Sequence, residues 1–269
     1  MNKNSVVAKK QFGQNFLKDE SVLHQIIQAM PNNDNKIVEI GPGLGDLTKF
    51  LVDVKSVEAF EVDTDLCKIL QSTFKKEIDT KRLHINCGDV LESWESSLID
   101  KPYDLVANLP YYIATNIILK ALADPMCKNI LVMTQLEVAE KFCATVGEKV
   151  FGSLGIITQS IATSRIVVKV PPTAFDPQPK VDSAVFLIQK TKDRSDENFE
   201  GLLRVAFKQP RKTLMKNLSQ VYDKKILQEI FEKLDFTLTV RPHQVSTSDY
   251  HQIYNILKGN LDGRRDSRE

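Results

Sequence analysis

The chain alternates short apolar runs with longer stretches in which apolar residues recur every three or four positions. The β-type runs are "KIVEI" (36–40), "SVEAFEV" (56–62), "RLHIN" (82–86), "YDLVAN" (103–108) and "NILVMTQ" (129–135). The helical spacing predicts helices at 46–52, 64–75, 115–123 and 136–145. Ahead of them, Asp19 is placed to cap a helix whose Val22, Leu23, Ile26, Ile27 and Met30 share one face. Strands alternating with helices predict an α/β fold with a parallel sheet covered on both faces. A further helix near 153–163 leads to "RIVVKV" (165–170) and "SAVFLIQ" (183–189). No helix fits between these two runs, so they are expected as antiparallel neighbours at the sheet edge, joined by a Pro-rich loop.

After Lys190 the texture changes. "KTKDRSDEN" is polar and reads as a linker, and from 197 onward only helical periodicity remains. This predicts two domains, 1–190 and 191–269, the second small and all-α. The tail "GRRDSRE" is expected to lack regular structure.

Composition narrows the function classes. No run of about 18 apolar residues is present, so no membrane span is expected. The N-terminus has no apolar segment of the signal-peptide kind. Cys67, Cys87, Cys127 and Cys143 show no CxxC spacing. Neither a metal site nor a disulfide framework is indicated, and a reducing cytoplasm is the natural setting. Net charge is only +1, so a nucleic-acid partner would need locally clustered basic residues.

"VEIGPGLGDLT" (38–48) reads as a strand, a glycine turn and a helix start. Gly41 and Gly43 let the backbone pass close to a ligand. A dinucleotide fingerprint counted from Gly41 needs a third glycine at 46, where Asp46 stands. A carboxylate at a helix start repels pyrophosphate, so a ligand without phosphates fits better. Glu61 lies 20 residues after Gly41, at a strand end, where a carboxylate accepts ribose hydroxyls. Asp89, after the third strand, is set to meet an adenine amino group. Singly, each of these is as well read as a turn or a cap. Together, at successive strand ends, they describe S-adenosylmethionine better than NAD.

The fourth strand ends in "NLPYY" (108–112). An exocyclic amine on a base is a weak nucleophile, because its lone pair is delocalised into the ring. The Asn108 side-chain oxygen and the Leu109 carbonyl are candidate acceptors that would localise that pair. Pro110 fixes the turn and brings no competing N–H, and Tyr111 can stack on the base. Tyr112 reads as a packing residue. Phe175, at the centre of "VPPTAFDPQPKVDSAV" (170–185), reads as a core residue or as a second platform.

In combination, "GQNFL" (13–17), "EIGPGLGDLT", "FEVD" (60–63), "GDV", "NLPYY" and "FDPQPKVDSAV" resemble, in order, the motifs of the ribosomal RNA adenine N6-dimethyltransferases. The resemblance covers about 9–258 and is strongest to the bacterial branch acting on small-subunit (16S) RNA. It implies a Rossmann-like methyltransferase core, with a mostly parallel seven-stranded sheet and an antiparallel edge strand, and a helical C-terminal domain contacting RNA. It implies S-adenosylmethionine-dependent dimethylation of two adjacent adenines in a terminal hairpin; a cytoplasmic monomer is expected. By motif match Asn15, Leu17, Gly41, Gly43, Glu61, Asp89 and Asn108 would contact the cofactor, and Tyr111 and Phe175 would sandwich the adenine. Three positions depart from the family pattern: Tyr112 replaces a common Asn, Leu136 a common Lys, and Pro210 a common basic residue.

Lys208, Lys212 and Lys216 recur at four-residue spacing. Pro210 is expected to restart a helix as a first-turn residue, which would put Arg211 and Lys212 at a helix N-terminus, where the dipole disfavours cations. An RNA phosphate would relieve that cost, and a solvated charged face is the plainer reading. Lys9, Lys10 and Lys18 could extend the patch. A large-subunit adenine methyltransferase, a non-catalytic RNA-binding assembly factor and a small-molecule methyltransferase are the rival functions. "RKTLMKNLS" and "PKVDSAV" weigh against the first, the intact Glu61, Asp89 and Asn-Leu-Pro-Tyr against the second, and the helical domain against the third.

Overall fold

The computed structural model describes residues 14–193 and 196–266, with side chains described up to 259. In chain order the strands are β1 (Phe16–Leu17), β2 (Lys36–Ile40), β3 (Val57–Glu61), β4 (Leu83–Cys87), β5 (Tyr103–Asn108), β6 (Cys127–Gln135), β7 (Ala162–Val170), β8 (Phe175–Asp176) and β9 (Ser183–Lys190). The helices are α1 (Glu20–Ala29), α2 (Asp46–Val54), α3 (Thr64–Thr73), α4 (Lys75–Asp79), α5 (Val90–Ser93), α6 (Ala114–Ala123), α7 (Leu136–Cys143), α8 (Ser153–Ile161), α9 (Glu197–Ala206), α10 (Leu214–Leu218), α11 (Lys224–Lys233) and α12 (Thr247–Asp266).

Seven strands form one sheet in the order β4-β3-β2-β5-β6-β9-β7. The first five pair in parallel, and β9 runs antiparallel to both β6 and β7. β7 and β9 are thus antiparallel neighbours at the sheet edge, as their runs predict; β7 is outermost, and the strand that opposes the rest is β9, one place in. Its sequence explains this: Ser183–Ile188 is buried throughout, as a strand covered on both faces must be, whereas β7 keeps exposed or half-buried positions along most of its length. The order reverses direction between β2 and β5, the switch point beside which open α/β sheets bind ligands.

Short aspartate caps start several helices. Asp19 accepts from the Ser21 N–H at 2.9 Å, Asp63 from Asp65 at 3.0 Å and Asp89 from Leu91 at 2.8 Å. At the N-terminal ends of the strands two buried carboxylates act as anchors. Asp104 accepts from the amides of Asn33, Asn35 and Asn129. Asp124 accepts from the Trp94 indole, the Tyr103 hydroxyl and the N–H groups of Leu98 and Met126. Both are fully spent within the fold.

The chain forms two compact units, Met1–Glu140 with Ala162–Arg194, and Lys141–Ile161 with Ser195–Glu269. Segment 141–161, expected in the first domain, belongs with the helical unit. The reason is that α8 packs against α9 and α12 there, contacts that no local periodicity signals. The core of the helical unit includes Phe199, Leu203, Leu218, Phe231 and Tyr250, and the Phe199 ring stacks on His251 at 4.1 Å. The last helix continues to Asp266, into the tail expected to be irregular.

One pairing carries no signal in the sequence, and two further expectations are corrected. The two-residue strands β1 and β8 pair antiparallel, Leu17 opposite Phe175; two residues are too few to show alternation in sequence. Cys67 and Cys87 are joined by a disulfide. Cys87 ends β4 opposite Glu61, and α3 folds back over that strand end, bringing the Cys67 sulfur within 3.5 Å of the Glu61 carbonyl oxygen. Pro210 does not open a helix. The chain leaves α9 at Ala206, and α10 starts only at Leu214, capped by Thr213. Proline disfavours helix in the residue before it, and threonine is the stronger cap, so Pro210 takes a turn position.

Candidate active site

The carboxyl ends of β2, β3, β4 and β5 enclose one crevice, together with β1 and residues ahead of it. Gly41, Gly43 and Gly45 all take positive φ, at 69°, 62° and 82°. At Gly43 a Cβ would approach the Phe16 ring to 3.1 Å, and at Gly45 it would strike the Phe74 ring at 2.5 Å. The turn is thus closed on both sides to any larger residue. Asp46, first residue of α2, is paired with Lys18 at 2.6 Å.

Glu61 ends β3 with its carboxylate held by two backbone donors, Gly43 N–H at 3.1 Å and Asp63 N–H at 2.9 Å. Burial nevertheless raises its pKa, against the opposing pull of those N–H groups. The backbone of this strand end holds the neighbouring turns as well: Gly41 N–H donates to the Phe60 carbonyl and Gly88 N–H to the Glu61 carbonyl, both at 2.8 Å. Asp89, exposed at the crevice wall, spends one oxygen on its cap bond to Leu91.

Asn108 donates its side-chain Nδ2 to the Asn15 carbonyl at 3.2 Å. That contact orients the amide and leaves Oδ1 as the acceptor for the crevice. Leu109 spends its N–H on the Met133 carbonyl. Tyr111 lines the crevice and its hydroxyl meets Ser183 Oγ at 2.6 Å; burial raises its pKa. Tyr112 is 58% exposed, so it is not the packed residue expected. It lines the crevice mouth, where partial burial of its hydroxyl raises its pKa and the charges of Asp89 and Glu61 add to the shift.

The structure brings Asn15, Leu17, Gly41, Gly43, Glu61, Asp89, Asn108, Leu109, Pro110 and Tyr111 to this one crevice. It does not bring Phe175, which is 3% exposed in the core and absent from the lining. Pairing of β8 with β1 turns that ring inward. Sequence reading missed Glu39, which is 1% exposed and lines the crevice with its carboxyl accepting from Thr48 Oγ1 at 2.7 Å. An acid inside an apolar strand was the available signal. In the helical unit Lys208, Arg211 and Lys212 are exposed on the turn between α9 and α10, and their side chains have no partner among the described residues. Lys216 lies on α10, so the four-residue spacing does not fall on one helix. Lys9 and Lys10 lie outside the described residues.

Charge decides what the crevice can hold. Glu61 and Asp89 line it, beside Asp46, whose charge Lys18 pairs, and Glu39, which burial keeps largely protonated; among the described residues no Lys, Arg or His lines it. Such a site repels phosphates and suits a nucleoside that carries positive charge. Among the described residues no cluster of His, Cys, Asp and Glu could hold a metal ion.

A sheet of this order with an acid-lined crevice at its switch point is that of a Rossmann-like methyltransferase. The model of the ribosomal RNA adenine dimethylases matches residues 6–259, and the chain belongs to that family. It is 75% identical over 264 residues to the ribosomal RNA small subunit methyltransferase A of Sulfurimonas denitrificans, covering 98% of each chain. To the protein of that name from Aliarcobacter butzleri it is 54% identical, covering 94% of this chain and 97% of the other. Among solved structures, a dimethyladenosine transferase from Plasmodium falciparum matches with a TM-score of 0.78 at 25% identity, covering 92% and 98%. The 23S rRNA methyltransferase ErmE shares the fold, with a TM-score of 0.71 at 22% identity, covering 91% and 100%.

Glu39 yields a pH prediction. Burial, with the nearby Glu61 charge adding and the Thr48 hydroxyl opposing, lifts its pKa from 4.5 to about 8. Between those values the folded chain holds a proton that the unfolded chain releases. The stability from this group is therefore full below pH 4.5 and lost as pH rises through about 8. Glu39→Gln does not titrate, so urea unfolding of the variant should show a flatter decline in stability across that window. An unaltered pH slope would contradict the assignment.

Proposed function

We propose that this ribosomal RNA methyltransferase uses S-adenosylmethionine to dimethylate N6 of two adjacent adenines in the terminal hairpin of small-subunit (16S) ribosomal RNA. The observation that carries this reading is the crevice: carboxylates and a close-approach glycine turn beside an Asn-Leu-Pro-Tyr turn, with no cationic side chain among the described lining residues. S-adenosylmethionine supplies a methyl group on a positively charged sulfur. Glu61 would hold the ribose hydroxyls on the lone pairs left by Gly43 and Asp63. Asp89 would accept from the adenine amine of the cofactor, and Asn15, Leu17, Gly41 and Gly43 would close round it.

The target adenine stacks on Tyr111. Asn108 Oδ1 and the Leu109 carbonyl accept its two N6–H bonds, which draws the amine toward tetrahedral geometry and localises the lone pair. The cofactor, when bound, would supply the methyl group: the N–C bond replaces the S–CH3 bond, whose electron pair leaves with the neutral thioether S-adenosylhomocysteine, and the amine proton passes to water. Positioning and electrostatics supply the catalysis. Phe175 supports this site from behind, by packing the β1–β8 pair, and does not act as a second stacking face.

Lys208, Arg211 and Lys212 are the RNA contacts we propose. Exposed cations without partners among the described residues give up no contact there when they bind phosphate. The enzyme acts as a monomer in the cytoplasm on ribosomal RNA or a pre-assembled small subunit. The high identity to relatives named for the small subunit favours this substrate over large-subunit RNA.

Two measurements test the assignment. Glu61→Ala removes a partner from a buried ligand group, a loss of about 1–3 kcal/mol. S-adenosylmethionine affinity by calorimetry should fall roughly 5- to 150-fold, and an unchanged affinity would remove Glu61 from the site. Arg211→Ala with Lys212→Ala should weaken RNA binding and flatten its salt dependence, by about 0.7–0.9 in slope for each phosphate no longer neutralised. Cofactor affinity should not move. Equal salt slopes for wild type and double variant would mean that these cations are only a solvated surface.

A further inference from the structure

A stacking platform works only if its ring holds its plane. Rotation about χ1 and χ2 would otherwise let a tyrosine at a crevice wall swing. The Tyr111 ring is held at both ends. At the near end Pro110 fixes the turn, and its ring packs against Gly41, where a Cβ would lie 3.5 Å from Pro110 Cδ. At the far end the phenol oxygen meets Ser183 Oγ at 2.6 Å. Ser183 is 0% exposed. It opens β9 and is clamped between Gln135 of β6 and Val170 of β7. It does not line the crevice, so it touches neither substrate nor cofactor. A hydroxyl anchored in the sheet thus reaches the one aromatic side chain assigned to stack on the base.

We propose that Ser183 is a positioning residue for methyl transfer: through the Tyr111 phenol it fixes the plane of the ring on which the target adenine stacks. The inference rests on Tyr111 being that platform. It also gives the phenol a role other than proton transfer, because the hydroxyl is paired with Ser183 and burial raises its pKa. A hydrogen bond of this kind contributes about 0.5–1.5 kcal/mol net, so breaking it should slow transfer roughly 2- to 12-fold.

The test uses the full chain, S-adenosylmethionine and a small-subunit RNA hairpin. Single-turnover transfer rates are measured at saturating RNA, and a second hairpin carrying 2-aminopurine at the target position reports stacking by fluorescence. Ser183→Ala and Tyr111→Phe should slow transfer by similar factors and raise the bound-state fluorescence, with cofactor affinity unchanged. Because both remove the same bond, the double variant should be no slower than either single one. Losses that multiply in the double variant would overturn the proposal, as would a slower rate with unaltered fluorescence. Tyr111→Phe breaks the bond without touching the buried sheet, so it decides the matter even if Ser183→Ala fails to fold: a wild-type rate in Tyr111→Phe overturns the proposal. Tyr111→Ala separates the two claims. If it transfers at the wild-type rate, the platform itself is wrong and the proposal falls with it. If it is inactive while Tyr111→Phe is normal, the platform stands and only the role of Ser183 falls.

Discussion

The Glu61 carboxylate, gripped by the Gly43 and Asp63 N–H groups, is the contact on which the site depends. It ties the turn after β2 to the turn after β3, and the same strand end receives the Gly41 and Gly88 N–H groups on its carbonyls. A charged, hydrogen-bonded acceptor is worth more than a neutral one, so the grip outweighs part of the cost of burying the acid. The glycines follow from it. Positive φ at Gly43 and Gly45, with rings of Phe16 and Phe74 pressed against them, leaves no room for side chains where the backbone must turn toward this carboxylate. What remains in front of it is a crevice whose described lining has acids and no cations, and that charge pattern selects the kind of ligand.

Much of this was legible in the chain. The seven main strands fall where apolar runs stand, because a strand buried on both faces has little freedom to be polar. The Asn-Leu-Pro-Tyr turn was legible because a proline after a buried strand allows few geometries. What escaped was contact between distant residues. β1 and β8 are too short to carry alternation, the disulfide joins cysteines 20 residues apart, and α8 joins the helical unit through packing alone. Pro210 was misplaced because two local rules competed, and the Thr213 cap prevailed.

Acids posed the harder problem. Asp104, Asp124, Glu39 and Glu61 are all buried, and nothing in composition separates them. Position along the sheet does. Asp104 and Asp124 sit at the entry ends of strands and spend their oxygens on asparagine, tryptophan, tyrosine and backbone donors. Glu61 sits at an exit end, takes two backbone bonds and faces a crevice. Net charge hid the basic residues in the same way: a total of +1 conceals three exposed lysine and arginine side chains, on one turn of the helical unit, that have no partner among the described residues.

The most direct measurement is to incubate the protein and its Asn108→Ala variant with S-adenosylmethionine and a small-subunit ribosomal RNA hairpin, then locate the added mass by digestion and mass spectrometry. The account predicts two methyl groups on N6 of each of two adjacent adenines with wild type. It predicts transfer slowed by about two orders of magnitude in the variant, the scale on which loss of an aligned hydrogen-bonding group at a reacting atom acts. Methylation at another nucleotide, or of large-subunit RNA alone, or a variant as fast as wild type, would contradict it.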